Sequence, residues 1–184
     1  MSGVVAWLTG LPASGKTTLA RALLEATKRE GHAACLLDSD EVRRRLVPAH
    51  GYDEDGRRDF YTTLGGLAAM LAEQGLVVLV AATAHRRSYR DAARALAPAF
   101  VEIHVATTLE ECRRRDPKGL YARAASDGAT TLPGLGVGYE APESPDVVAM
   151  GEAGDLAACL TAIRRSLAQS SASESPSKNR SKST

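Results

Sequence analysis

Hydrophobic and polar positions divide this chain into two kinds of segment. Short, nearly continuous apolar runs are typical of strands that are buried on both faces of a parallel sheet. Longer stretches in which apolar residues recur every three or four positions are typical of amphipathic helices. The first pattern predicts strands at residues 4–8, 33–37, 76–81, 100–105 and 146–149. The second predicts helices at residues 16–30, 40–43, 53–74, 89–96, 108–115 and 155–167.

The order of these segments predicts the fold class. Strands and helices alternate, which indicates an α/β protein whose parallel sheet carries helices on both faces. Residues 116–145 are rich in glycine, proline and polar side chains, so we expect a mobile loop region there. The length of 184 residues fits one domain, which we expect to cover residues 1–168. Residues 169–184 are almost devoid of apolar side chains and are expected to form a disordered tail.

Residues 10–17 match the pattern G-x-x-x-x-G-K-[ST] at every fixed position, between a predicted strand and a predicted helix. In that setting the glycines let backbone amides turn towards an anion, and the helix N-terminus adds its positive dipole. Lys16 can then reach the β- and γ-phosphates of ATP, and the Thr17 hydroxyl is suited to ligate Mg²⁺. The sequence therefore predicts a sheet of the P-loop NTPase type. The residues predicted to hold the nucleotide are Gly10, Pro12, Ala13, Ser14, Gly15, Lys16, Thr17 and Thr18.

Two carboxylates, Asp38 and Asp40, follow the second predicted strand. A carboxylate close to the γ-phosphate can accept a proton from an attacking hydroxyl or anchor the hydration shell of Mg²⁺. For Asp40 the role of a helix cap is equally well supported, whereas for Asp38 the functional role is favoured. Arg43 can clamp an anionic substrate with its planar fork, or it is a solvated surface charge.

A third signal is the basic run at residues 113–115, which leads into Pro117 and Gly119. A short basic helix followed by a loop suits a lid that closes on phosphates and brings positive charge to the transferred group. Arg115 is accordingly predicted to contact the nucleotide. The alternative is an ordinary solvated basic helix face. His85, after the third predicted strand, suits an acid–base or phosphate-binding role, but an ordinary loop histidine is favoured.

Composition excludes several other classes of function. A net charge of +1 and an aromatic content of 4% do not indicate a nucleic-acid-binding or membrane-binding surface. The three cysteines are far apart and predict neither disulfides nor a metal cluster, so Mg²⁺ held with ATP is the single metal expected. No secretory signal is recognisable at the N-terminus. We therefore expect a cytoplasmic protein that acts on a small molecule.

Four strings together resemble the adenylylsulfate kinases, also called adenosine-5′-phosphosulfate kinases. They are Gly-Leu-Pro-Ala-Ser-Gly-Lys-Thr-Thr at 10–18, the segment 37–43, Arg-Asp-Pro-Lys-Gly-Leu-Tyr at 115–121 and Gly-Tyr-Glu-Ala-Pro-Glu at 138–143. The resemblance covers residues 3 to about 168. It implies transfer of the γ-phosphate of ATP to the 3′-hydroxyl of adenylylsulfate, and it implies a homodimer, since members of the family are often dimers.

The resemblance also implies roles for individual residues. Lys16 and Thr17 would handle ATP and Mg²⁺, and Lys16, Asp38 and Asp40 would be catalytic. Contacts to adenylylsulfate are implied for Asp38, Asp40, Arg43, Arg57, Ala84, Lys118 and Leu132.

The sequence departs from the family pattern where that pattern contacts the acceptor. An asparagine and two arginines of the pattern are absent, as are a serine after the third strand and an aromatic residue that stacks on the adenine of the substrate. The positions concerned are Phe60, Thr62, Thr63, Ala84, Leu132 and Gly136. Three readings therefore remain open: an adenylylsulfate kinase, a kinase of the same family with another alcohol as acceptor, or a non-catalytic nucleotide-binding module.

Overall fold

The structure is a computed structural model that describes residues 2–48, 50–127, 131–151 and 154–173. The strands are β1 (Val4–Thr9), β2 (Ala34–Asp38), β3 (Val77–Ala81), β4 (Phe100–Val105) and β5 (Val147–Ala149). The helices are α1 (Lys16–Arg29), α2 (Ser39–Arg45), α3 (Glu54–Glu73), α4 (Arg87–Leu96), α5 (Leu109–Arg115), α6 (Leu120–Asp127) and α7 (Asp155–Ser173).

The five strands form one sheet in the order β2-β3-β1-β4-β5, and every neighbouring pair is parallel. This confirms the predicted α/β fold. Alternation along β1 shows why its apolar run is continuous: Val4, Ala6 and Leu8 face one side of the sheet, and Val5 and Trp7 face the other. The first side packs against α1 and α7, and the second packs against α3 and α4.

The strand order creates a crevice at one edge of the sheet. β1 and β3 are neighbours, yet β1 leads to α1 on one face whereas β3 leads to α4 on the other. The segments that follow the two strands therefore diverge, and ligands of open α/β sheets bind at such a divergence. The strand ends are level there, because Ala81 lies opposite both Leu8 and Asp38.

Two predictions of secondary structure were wrong in part. The segment 116–145 contains α6, which begins where the Asp116 carboxylate accepts hydrogen bonds from the amides of Leu120, Tyr121 and Ala122. This helix was not predicted from the sequence, because Pro117 and Gly119, which follow Asp116, indicate a loop and obscure the capping aspartate. The last helix extends to Ser173 rather than to residue 167. The remainder of the predicted tail, residues 174–184, lies outside the described residues.

Within the described ranges, no helix is both long enough and apolar enough to cross a bilayer.

Candidate active site

The loop between β1 and α1 has the backbone conformation that a phosphate cradle requires. Gly10 and Gly15 have positive φ angles of 151° and 102°, and Ala13 also adopts a left-handed conformation with φ of 61°. A side chain at position 10 could not be accommodated, because its Cβ would lie 2.4 Å from the carbonyl oxygen of Val105. The loop is also anchored to the segment after β4, because the Thr107 hydroxyl donates to the Ser14 carbonyl at 2.8 Å.

Lys16 is buried within this loop without an anionic partner. Its Nζ donates to the carbonyl oxygens of Gly10 at 2.9 Å and Leu11 at 2.7 Å, and no described carboxylate forms an ion pair with it. Burial lowers the pKa of Lys16 to about 8, against weaker opposing effects of Cys112 and Asp40. A buried cation that is neutralised by carbonyl dipoles alone fits a site built for an incoming phosphate.

Asp38 joins the second strand to the phosphate-binding loop. Its Oδ2 accepts a hydrogen bond of 2.7 Å from the Thr17 hydroxyl, and its Oδ1 accepts from the amides of Asp40 and Glu41. Asp38, and not Asp40, is therefore the cap of α2, so the sequence interpretation of Asp40 as that cap was wrong. The strand end places Asp38 before the first turn of the helix, where its carboxylate can reach the free amides.

The Thr17 hydroxyl and the Asp38 carboxylate also meet the requirements of a magnesium site. Mg²⁺ prefers oxygen ligands and usually keeps several waters, so it needs few protein groups when a nucleotide supplies phosphate oxygens. In agreement with this, the described residues contain no cluster of three or more His, Cys, Asp or Glu side chains that could hold a metal alone.

The segment formed by α5, α6 and the turn between them, which we call the lid, crosses over the loop. Lys118 Nζ lies 2.5 Å from Asp40 Oδ2, so the lid is joined to the acidic segment after β2. The Tyr121 hydroxyl donates to the carbonyl oxygen of Pro12 at 3.0 Å, which joins the lid to the phosphate-binding loop. Burial raises the pKa of Tyr121 to about 12, so this donor stays protonated.

Arg115 lies beside the loop but is engaged within its own helix. Its Nε donates to Glu111 Oε1 at 2.7 Å, and its Nη1 would lie 3.7 Å from a Cβ placed on Gly15. Arg114 is paired with the same glutamate. Ion pairing holds the pKa of Glu111 down at about 2. The exposed Thr18 follows the loop on α1.

On the opposite side of Asp40, two arginines are fixed by backbone carbonyls and aromatic rings. The Arg43 guanidinium lies 3.7 Å from the ring centroid of Phe60 and 4.6 Å from that of Tyr52, and it donates to the carbonyls of residues 50 and 51. Arg57 is buried and donates to the carbonyls of Tyr52 and Thr131. Arg43 is therefore not a solvated surface charge.

The segment after β3 is buried rather than open. Ala84 has no exposed surface and a positive φ of 38°, and its amide donates to the Tyr61 hydroxyl at 3.0 Å. His85 is only 3% exposed, and its Nδ1 has no hydrogen-bond partner within the described part of the chain. Burial, together with the positive Arg57 and Arg86, lowers the pKa of His85 to about 4. His85 therefore lies in the interior, and its role stays a prediction.

The positions that depart from the family pattern have mainly internal contacts. Phe60 is buried against Arg43, while the hydroxyls of Thr62 and Thr63 donate back to carbonyls of their own helix. Leu132 is half-buried, and its carbonyl accepts the amides of Leu135 and Gly136 in a tight turn. That turn packs against Leu11 of the phosphate-binding loop.

Three side chains organise the site through contacts that were not predicted from the sequence. Tyr61 and Tyr121 act through hydroxyls that reach distant backbone groups, and Thr107 supports the loop from the end of β4. No spacing pattern marks such contacts, because each partner lies more than 20 residues away. The string 115–121 was the one available signal for Tyr121.

The loop at residues 10–17 contacts Asp38, and Arg43 and Arg57 follow on the next two helices. This arrangement defines the class of the protein: a P-loop kinase of small molecules. The model of the adenylylsulphate kinase family matches residues 2–150. The chain belongs to that family.

Individual relatives agree with this assignment. The adenylyl-sulfate kinase of Enterobacter sp. (strain 638) is 42% identical over 147 residues, which cover 79% of this chain and 73% of the relative. The adenylyl-sulfate kinase of Shewanella baltica (strain OS185) is 40% identical over 162 residues, covering 87% and 79%. The structure of the APS kinase CysC of Mycobacterium tuberculosis, in complex with AMPPNP and APS, superposes with a TM-score of 0.81 at 31% identity, covering 90% and 99%.

A further solved relative is the hexameric APS kinase from Thiobacillus denitrificans, with a TM-score of 0.65 and 28% identity. The match covers 89% of this chain and 29% of that one.

Proposed function

We propose that this protein transfers the γ-phosphoryl group of ATP to the 3′-hydroxyl of adenylylsulfate and produces phosphoadenylylsulfate. The observation that carries the proposal is the buried Lys16, which has no anionic partner among the described residues and lies beside the Thr17–Asp38 contact in a chain of this family. A carboxylate held beside the phosphate site can accept the proton of an acceptor hydroxyl, which phosphoryl transfer to an alcohol requires.

ATP would bind with its phosphates in the loop at residues 10–17. Lys16 would exchange its two carbonyl partners for phosphate oxygens, which stabilises negative charge on the transferred group. Thr17, adjacent to Asp38, would hold Mg²⁺, which neutralises charge on the phosphates when bound. The lid would supply Arg115 from the side of Gly15, where its guanidinium already lies close to the loop.

The acceptor hydroxyl needs a group that takes its proton, and we assign this role to Asp38. Its carboxylate is next to the threonine of the loop, and the capped helix fixes its orientation. Asp40 is the second carboxylate of the pair, and its ion pair with Lys118 would hold the lid over the acceptor. We assign Asp40 to substrate positioning on this ground.

The acceptor itself would lie against Arg43 and Arg57, with Ala84 and Leu132 nearby as the family pattern implies. Arg43 is held between two aromatic rings, so its charge faces the pocket in a fixed direction. The two threonines at 62 and 63 supply no positive charge in place of the arginines of the pattern. Adenylylsulfate binding would therefore depend more strongly on these two remaining arginines.

A coupled assay of ADP release, with direct detection of the phosphorylated product, tests the proposal. We expect release that depends on adenylylsulfate at micromolar concentration and is absent with AMP, which offers the same 3′-hydroxyl without the sulfate. Release with another alcohol in an acceptor panel would reassign the substrate. Tight ATP binding without turnover on any acceptor would refute a kinase function.

Two further expectations accompany the proposal. The homodimer implied by the resemblance stays a prediction, which size-exclusion chromatography with light scattering would test. The cytoplasmic location is supported by three free cysteines, Cys35, Cys112 and Cys159, which fit a reducing compartment.

A further inference from the structure

The turn at residues 83–85, which we call the post-β3 turn, contains an unusual backbone conformation. Ala84 is a fully buried alanine with φ of 38°, a region that non-glycine residues seldom occupy. Such strain persists only where surrounding contacts enforce it, and it is concentrated at functional sites. The turn follows Ala81, which pairs with Asp38, so it lies at the strand end next to the candidate base.

Contacts from three different elements enforce this conformation. The Tyr61 hydroxyl of α3 accepts the Ala84 amide, and the Thr9 hydroxyl at the end of β1 donates to the Thr83 carbonyl at 2.7 Å. From the third side, the amide of Glu140 donates to the His85 carbonyl at 2.8 Å.

One side chain, Arg90 of α4, connects these contacts. It is 1% exposed, and each nitrogen of its fork has a different partner. Nη1 donates to the Ala84 carbonyl at 2.6 Å, Nη2 to the Glu140 carbonyl at 2.8 Å, and Nε to Glu102 Oε1 at 2.7 Å. A lysine carries all its donors on one nitrogen, so it could not reach three partners that are spaced to match the three separate nitrogens of the guanidinium fork.

The turn borders the acceptor side of the crevice. Tyr61 lies four residues after Arg57 on α3, so the two side chains share one face of that helix. Arg57 is one of the two arginines assigned to the acceptor. By contrast, residues 10–18, which are assigned to the nucleotide and are all described, form no hydrogen bond with the post-β3 turn.

We propose that Arg90 is a positioning residue for the acceptor, which fixes the buried post-β3 turn so that this turn supports the acceptor side of the crevice from within. This inference rests on the proposed function for the identity of the acceptor. It assigns to Arg90 no contact with the substrate and no part in proton transfer.

Arg94 provides a matched control. It lies on the same helix and donates to Oε2 of the same Glu102, but it makes no hydrogen bond to the turn. Arg90→Lys and Arg94→Lys therefore both disturb the ion pair at Glu102, and only the first removes the links to Ala84 and Glu140. For Arg90→Lys we expect the KM for adenylylsulfate to rise about tenfold and the KM for ATP to change less than about twofold. Arg94→Lys should leave both values within about twofold.

Equal effects of the two variants, or a parallel rise of both KM values in Arg90→Lys, would overturn the inference, since either result would indicate a general loss of stability. Amide hydrogen exchange of residues 82–86, measured without substrate, gives an independent answer. Exchange at Ala84 should be at least about tenfold faster in Arg90→Lys than in Arg94→Lys. Unchanged exchange would refute the positioning role whatever the acceptor is.

The two proposals can fail separately. A wild-type protein that does not act on adenylylsulfate refutes the proposed function, and the exchange experiment then still decides the role of Arg90. If Arg90→Lys does not fold, Tyr61→Phe breaks the amide side of the same turn and should raise the acceptor KM selectively. A Tyr61→Phe protein with wild-type KM values for both substrates would overturn the inference.

Discussion

The nucleotide side and the acceptor side of the crevice are built in different ways. The nucleotide side is one continuous segment, residues 10–17, whose left-handed glycines and folded-back Lys16 are set by contacts within the loop. The acceptor side combines residues from the ends of two strands, from α3 and from segments near 131 and 140. Its arginines are fixed by the carbonyls of residues 50–52, by the rings of Tyr52 and Phe60 and by the distant carbonyl of Thr131.

This difference has a consequence for substitution. A cradle made by backbone amides tolerates few changes, because Gly10 leaves no room for a side chain and Gly15 has a φ of 102° that other residues seldom adopt. A pocket made by side chains can change its contacts one at a time, as the buried Phe60 and the Tyr61–Ala84 contact illustrate. We expect single substitutions on the nucleotide side to remove most of the activity, and single substitutions on the acceptor side to reduce it only in part.

The largest expected effect is that of Lys16→Ala. Removing the one buried cation of the loop should lower kcat at least about 10³-fold, because charge that develops on the transferred phosphoryl group loses its stabilisation. Initial rates at saturating ATP provide the measurement. Lys28→Ala, which removes an exposed lysine from the same helix, should have no effect. A residual rate above about one tenth of wild type would contradict an abrupt failure on the nucleotide side.

The second effect concerns the carboxylate where the two sides meet. Asp38→Asn keeps an oxygen that can cap α2 but removes the negative charge, and we expect kcat to fall at least about 10²-fold. Circular dichroism should show an unchanged helical content. A near-normal rate for Asp38→Asn, together with a large loss for Asp40→Asn, would move the role of base to Asp40.

The contrast between one continuous segment and residues from separate segments also explains which parts of the structure could be predicted from the sequence. The sheet, most of its helices and the turn at residues 10–17 were predicted correctly as structure, because apolar runs and the Gly10–Thr17 motif are local signals. The cap at Asp38, the helix α6 and the burial of His85 were not, because they depend on partners that only the folded chain brings together. The roles of individual site residues stay predictions.

The third effect is a pH dependence of ATP binding on the nucleotide side. The folded protein holds the pKa of Lys16 at about 8, and a bound phosphate favours the protonated form. ATP affinity should therefore weaken as pH rises through about 8, by about tenfold between pH 7 and pH 9. Calorimetric titration with AMPPNP would measure it. In Lys16→Ala the residual affinity should be constant over that range, and a persistent decline there would assign the titration to another group.

The smallest effect is expected on the acceptor side, from Tyr61→Phe. The variant leaves the buried Ala84 amide without its acceptor, which should lower the free energy of unfolding by about 1 kcal/mol and raise the KM for adenylylsulfate by about threefold. Denaturant unfolding and steady-state kinetics provide the two measurements. Tyr89→Phe is the matched control, since Tyr89 stacks on Tyr61 with ring centroids 4.9 Å apart, and among described residues its hydroxyl has no hydrogen-bond partner. Equal changes of the unfolding free energy and of the KM in the two variants would show that the stacked rings, and not the Tyr61 hydroxyl, stabilise the acceptor side. The gradual loss of activity expected there would then depend on packing alone.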